Sequence, residues 1–187
     1  MSAAVEVENL RLRYGTTPAL DGVSFTLAPN RIYGLLGRNG SGKTSLLSVL
    51  AAYRRSTSGS VRVFGEPVFE NERVVERIAL VSSEPQTLSQ DLKVNAVLRE
   101  ARLLRPGWDE AYARRLLELF EIPERKTVHA LSRGKKSALG IVLGLASRAQ
   151  LTIFDETYLG MDAPSRQAFY DELLQDFAEE PRTFILS

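Results

Sequence analysis

Gly37, Gly42, Lys43 and Thr44 stand in the pattern G-x-x-x-x-G-K-T across residues 37–44, with Arg38, Asn39, Gly40 and Ser41 between them. That spacing suits a phosphate group. Glycines let the backbone wrap tightly and turn its N–H groups inward. A helix that starts at the end of the loop adds the positive end of its dipole. Lys43 brings a point charge to the outer phosphates of a nucleotide, and the Thr44 hydroxyl is placed to hold magnesium. Far downstream, Asp155 and Glu156 follow the apolar run L-T-I-F at 151–154. Carboxylates at the end of a buried strand are costly unless they meet a cation. Asp155 therefore reads as a magnesium ligand. Glu156, facing the other way, reads as the group that polarises a water for attack on the γ-phosphate.

Two further positions are open to two readings each. Tyr14 closes an alternating stretch about twenty residues before the loop. An aromatic there either stacks on an adenine ring or packs on its strand neighbours, and position alone favours packing. Glu84 follows the apolar run 78–81, where ligands of open α/β sheets bind. It is either a contact to the magnesium–water shell or a solvated loop carboxylate. His129 is the only histidine and there is no cysteine, so a metal role for it has no partners.

The elements that must position these groups are legible from periodicity. Residues 31–36 read as a buried strand entering the loop, and Leu46, Leu47 and Leu50 at helical spacing follow it. Before them, Val5, Val7, Leu10, Leu12 and Tyr14, then Val23, Phe25 and Leu27, alternate as antiparallel strands with one wet face. Residues 60–64 add another such strand, and 71–77 a short charged helix. From 92 to 122 the pattern is helical, with one stripe of Val94, Val97, Leu98, Ala101 and Leu104. A second stripe runs through Tyr112, Leu116, Leu119 and Phe120 after an Asp109 N-cap. Trp108 and these aromatics read as core. Ser132 caps a further helix whose stripe is Leu139, Val142, Leu143 and Ala146. Lys135 and Lys136 oppose that helix's dipole, so they either meet an anion or acidic partner or form a solvated face. Asp162 opens the helix at 164–177, and 183–186 is the last strand.

The chain has 187 residues, 44% hydrophobic and 25% charged, with net charge +1. That balance leaves no electrostatic footprint for nucleic acid. The N-terminus is acidic and alternating, unlike a signal peptide. The longest apolar run, 138–146, is too short to span a bilayer. The reading is a cytoplasmic domain.

Taken together, these motifs resemble the ATP-binding subunit of ATP-binding-cassette (ABC) transporters, over essentially the whole chain. Residues 37–44 are similar to the family's Walker A motif and L-S-R-G-K at 131–135 to its signature L-S-G-G-Q. L-T-I-F-D-E at 151–156 resembles Walker B with the catalytic glutamate, and L-G-M-D at 159–162 the D-loop. The resemblance implies an α/β fold: a P-loop NTPase core of the RecA-like kind with an antiparallel β subdomain and an inserted α-helical subdomain. The core would be 1–83 and 150–187, and the helical part about 84–149. It implies ATP and Mg2+ as ligands, bound through Tyr14, now read as an adenine-stacking aromatic, and through Gly37, Arg38, Asn39, Gly40, Ser41, Gly42, Lys43, Thr44 and Ser45. Lys43 and Glu156 would be catalytic; Thr44, Asp155 and Glu84 would serve the metal. Ser132, Arg133, Gly134 and Lys135 would reach the nucleotide of a second ATP-binding subunit in a head-to-tail dimer, homo- or hetero-, with Asp162 in the D-loop. The remaining partner would be a separate transmembrane permease holding the dimer at the inner face of the membrane.

Departures from the pattern qualify the expectation. Glu84 replaces the Q-loop glutamine, adding negative charge near the γ-phosphate. Arg133 and Lys135 replace Gly and Gln in the signature, and Thr157 replaces the proline after the catalytic glutamate. The family's switch histidine follows the last strand, and this chain stops at Ser187, so a shortened form with weak hydrolysis is expected. The L-S-R-G signature and the 108–120 helix are most similar to bacterial drug- or peptide-export subunits. Alternatives are a non-transport ABC ATPase and a nucleotide-gated subunit with little turnover.

Overall fold

The computed structural model describes residues 3–82 and 90–187. In chain order the elements are β1 (Val5–Tyr14), β2 (Thr17–Leu27), β3 (Ile32–Gly34), α1 (Lys43–Leu50), β4 (Ser58–Val63), β5 (Glu66–Pro67), α2 (Glu72–Val75) and β6 (Ile78–Ser82). They continue with α3 (Val94–Leu104), α4 (Glu110–Leu119), α5 (Arg133–Ala146), β7 (Leu151–Asp155), α6 (Ala163–Glu179) and β8 (Thr183–Leu186). Two four-stranded sheets result. One is antiparallel, in the order β2-β1-β4-β5, and the other is parallel, in the order β3-β8-β7-β6.

The alternation in β1 buries Val5, Val7, Leu10 and Leu12 on one face of the antiparallel sheet. That face meets Leu46, Leu47, Val49 and Leu50 of α1, which also touch Ile153 and Ile185 of the parallel sheet. Helix α1 therefore lies between the two sheets, which is why its apolar residues run nearly all round it. The other face of the parallel sheet presents Phe154 and Phe184 to α5 and α6. Phe154 packs edge-on against Phe169 of α6 at 5.1 Å between ring centroids. A Cβ at Gly140 or Gly144 of α5 would strike Val81 of β6 at 2.8 or 2.6 Å. These two glycines, one turn apart, let α5 settle onto the sheet.

All four strands of the parallel sheet point the same way, so their C-terminal ends share one edge. Strand β8 separates β3 from β7. The loop leaving β3 and the carboxylates ending β7 thus flank a single strand.

Several expectations change. The strand entering the loop spans only Ile32–Gly34, and Leu36 is 93% exposed. As an edge strand paired only with β8, β3 is covered on one side, and the chain turns away after it. Leu104 and Leu119, expected in the helical stripes, are 72% and 44% exposed. Both lie at the last residue of their helices, where the buried stripe has run out. Between β6 and β7 the described residues form helices and one isolated bridge, Lys93 with Thr127. Helix α5 belongs to both parts: its first turn faces α4, while the rest packs on the parallel sheet.

Candidate functional site

The phosphate-type loop joins β3 to α1 at the shared edge. Gly42 is the N-cap of α1, with φ +91° and no side-chain cap. Its conformation is left-handed, and a Cβ would lie 2.5 Å from the carbonyl O of Ala19, so no other residue fits there. The first N–H groups of α1 are consequently uncapped by any side chain and open toward the loop. Lys43 curls back over it, its Nζ donating to the carbonyl oxygens of Gly37 at 3.0 Å and Arg38 at 3.4 Å. The same Nζ stands 3.7 Å from Glu156 Oε1.

Glu156 reaches that point because the chain leaves β7 through a left-handed turn, with φ +51° at Glu156. Its N–H donates to the Ser187 carbonyl at 3.3 Å, and Leu159 N–H donates back to its own carbonyl at 3.0 Å. Asp155, one residue earlier, is only 5% exposed, and its Oδ1 has no hydrogen-bond partner among the described residues. A buried carboxylate oxygen left without a partner is costly. The residue types fit magnesium, which takes one or two carboxylates plus hydroxyl and phosphate oxygens. Among the described residues no cluster of three His, Asp or Glu side chains is placed to hold a metal ion.

A cavity of about 430 Å³ opens between the loop and the β1–β2 hairpin. It is lined by Tyr14, Asn39, Gly40, Gly42, Lys43, Thr44, Ser45 and Glu156, all anticipated from the sequence. Thr17, Pro18 and Ala19 complete the wall and were not anticipated. Nothing in their types signals chemistry; the hairpin that pairs Tyr14 with Thr17 puts them there. Tyr14 is 44% exposed, and its hydroxyl lies 3.1 Å from Ser45 Oγ. Gly37 and Arg38 contribute carbonyls to Lys43 rather than walls, and Ser41 closes a turn by donating its N–H to Arg38 O at 3.1 Å. Glu84 lies outside the described residues.

The residues 132–135 and Asp162 do not line this cavity. Ser132 caps α5, accepting from Lys135 N–H at 3.3 Å. A Cβ on Gly134 would come within 2.8 Å of the Gly160 carbonyl, and Ser137 Oγ donates to Leu159 O at 3.1 Å. The start of α5 and the 159–162 turn are thereby joined. Lys135 has found its acceptors within the chain: its Nζ donates to Phe120 O at 2.6 Å and pairs with Glu121 at 3.3 Å. That explains how a lysine is tolerated in the first turn, since its charge sits at the C-terminal end of α4. Asp162 caps α6 through Ser165 N–H at 2.8 Å. The Ser165 hydroxyl and N–H hold its carboxyl below the usual range.

The ABC transporter family model matches residues 20–158. Nod factor export ATP-binding protein I of Paraburkholderia xenovorans is 31% identical over 178 residues, covering 91% of this chain and 58% of that protein. Zinc import ATP-binding protein ZnuC of Yersinia enterocolitica is 30% identical over 175 residues, covering 94% of this chain and 66% of that protein. The chain thus spans about three fifths of the curated relatives it matches. A solved structure of the ATP-binding subunit of an ABC transporter superposes with a TM-score of 0.83 at 23% identity, over 98% of this chain and 79% of that one. At that identity the likeness speaks for the fold.

Proposed function

This chain belongs to the ABC transporter family, and we propose that it is the ATP-binding and ATP-hydrolysing motor subunit of a membrane exporter. The observation that carries this reading is the meeting of Lys43 with Glu156 in one cavity with Tyr14 and Thr44. In the proposed complex the exposed face of Tyr14 stacks on adenine. The loop N–H groups and Lys43 take the outer phosphates, for which Lys43 exchanges its hold on the Gly37 and Arg38 carbonyls. Thr44 and Asp155 hold magnesium, a role that the partnerless buried Oδ1 of Asp155 fits. The ion, when bound, draws charge from the β- and γ-phosphates. Glu156 accepts a proton from water as the water oxygen bonds to the γ-phosphorus and the bond to the β-phosphate oxygen breaks, leaving ADP and phosphate.

Ser132 and Gly134 lie away from this cavity, which supports their serving the nucleotide of a second subunit in a head-to-tail dimer. We assign the membrane-crossing role to a separate permease chain because the likeness to ATP-binding subunits of ABC transporters implies one; no described helix is long and apolar enough to cross a membrane. The export direction rests on the likeness of 131–135 and 108–120 to export subunits; relatives named for import and for export both match. One observation favours a second reading, a nucleotide-gated subunit with little turnover. Lys135, where the family has glutamine, is already engaged by Phe120 and Glu121.

Sedimentation of Glu156→Gln with and without Mg-ATP tests the motor reading. Removing the base traps ATP with the metal site intact. A dimer that forms with ATP and is lost in Ser132→Arg supports it. ATP bound to a persistent monomer sinks the homodimer. Tight ATP binding without turnover in the unsubstituted chain selects the nucleotide-gated reading.

A further inference from the structure

The ring of Tyr14 has two faces, and the cavity accounts for one. Over the ring, 4.8 Å from its centroid, lies the guanidinium of Arg54. Tyr14 lines the cavity and Arg54 is not among the lining residues. The backbone builds this arrangement. After α1 ends, the chain turns through a left-handed Ala52 at φ +63°. Arg54 N–H then donates to Ser48 O at 3.2 Å, and Thr57 N–H to Arg11 O at 2.8 Å. Arg13 N–H returns a bond to Thr57 Oγ1 at 3.0 Å. Residues 54–57 therefore run beside the end of β1, and Arg54 comes to rest over Tyr14. The ring is also held at its tip, where its hydroxyl meets Ser45 in the first turn of α1.

We propose that Arg54 is a positioning residue for the nucleotide base: it clamps the back of Tyr14, so that the ring stands as a one-sided platform at a set distance from the phosphate loop. This rests on the proposed reading of the cavity as a nucleotide site. An exposed aromatic ring free to turn must be ordered when a base stacks on it, and fixing it beforehand removes that cost from binding. A planar guanidinium suits the task because it stacks on the ring face as an ammonium does not. The rest of the wall near the ring is Thr17, Pro18 and Ala19. Of these only Thr17 has a side-chain hydrogen-bonding group, so the platform carries most of the orientation of the base.

The test compares Mg-ATP with magnesium tripolyphosphate, which has the phosphates but no base, by calorimetric titration. Arg54→Ala and Arg54→Gln are expected to weaken Mg-ATP about two- to fivefold and leave tripolyphosphate unchanged. In a Tyr14→Ala background Arg54→Ala is expected to add nothing. Arg54 is exposed, so both variants are expected to fold, which circular dichroism checks. Equal weakening of both ligands would make Arg54 a general attractor of phosphate and overturn the proposal. So would an unchanged ATP affinity, or an additive effect in the Tyr14→Ala background. If the unsubstituted chain binds ATP no more tightly than tripolyphosphate, the stacking role of Tyr14 falls as well. If Tyr14→Ala weakens ATP binding and Arg54→Ala does not, only the role of Arg54 falls.

Discussion

Lys43 Nζ lies 3.7 Å from Glu156 Oε1 while donating to Gly37 O at 3.0 Å, so the ammonium is held by internal acceptors. A phosphate offers it a fully charged acceptor at the same loop. Hydrogen bonds to charged groups contribute about 1.5–3 kcal/mol. Lys43→Ala is therefore expected to weaken Mg-ATP binding by about ten- to 150-fold in calorimetric titration. A change under about twofold would remove Lys43 from the nucleotide site.

Gly134 faces the Gly160 carbonyl so closely that a Cβ would sit at 2.8 Å from it. The carbonyl belongs to backbone, which cannot swing aside as a side chain does. Gly134→Ala is expected to push the start of α5 off the 159–162 turn and cost about 1–3 kcal/mol of stability. Urea unfolding measures this. Ala130→Gly, at an exposed position before the helix, serves as the comparison and should cost less. Equal midpoints for the two variants would show that the turn and helix start are not coupled.

The parts of this site legible in the sequence are those set by chemistry close along the chain. The 37–44 loop, the Asp155–Glu156 pair and the caps at Asp109, Ser132 and Asp162 each depend on residues within a few positions, and each stands where the sequence puts it. What was not legible is set by partners distant in sequence. Lys135 ends on Phe120 and Arg54 over Tyr14. Ala19 meets the loop only because a hairpin folds back across it. The exposure of Leu104 and Leu119 likewise depends on where their own helices stop, which periodicity does not encode.

Asp176 is the centre of a buried charge cluster. Arg182 Nη2 donates to its Oδ2 at 2.6 Å, Arg148 pairs with its Oδ1, and Arg182 also reaches Leu145 O at 3.0 Å. These groups tie α6 to the end of α5. Removing one partner of a buried pair leaves the other charge uncompensated, at a cost of about 3–5 kcal/mol. Asp176→Ala is expected to lose that much in chemical denaturation. Asp171→Ala, on the exposed face of the same helix, should stay within about 0.5 kcal/mol. Similar losses for both would mean the cluster contributes no more than a surface position.

Acid should loosen the α4 end of this cluster. Burial pushes the Asp109 carboxyl up, but the Tyr112 N–H at 2.9 Å and the Arg148 guanidinium at 2.8 Å outweigh it, and the pKa lies below the ordinary value. Glu110 is also lowered, chiefly by the Trp108 indole N–H at 2.9 Å. A carboxylate lowered in the folded state adds stability above its unfolded pKa, about 4, and loses it as pH falls through the folded value. Asp109→Asn is expected to be less stable than the parent at neutral pH and to converge with it below about pH 4. Parallel stability curves down to pH 2 would exclude the linkage.

On the proposed reading Asp155 sets stability against function in a single side chain. Its Oδ1 is buried and has no partner among the described residues, which costs the ligand-free protein about 1–3 kcal/mol. Asparagine keeps the shape and drops the charge, so Asp155→Asn is expected to raise the denaturation midpoint of the ligand-free chain. On the proposed reading the same change removes a magnesium ligand. The extra thermal stabilisation that Mg-ATP gives over ATP with a chelator should then vanish, because a ligand stabilises only in proportion to its binding to the folded state. The two halves must appear together. If Asp155→Asn destabilises the ligand-free chain and keeps its response to magnesium, the carboxylate is a structural acceptor and the metal is held elsewhere. A gain in stability with loss of the magnesium response is the signature of a group kept unpaired for its ligand.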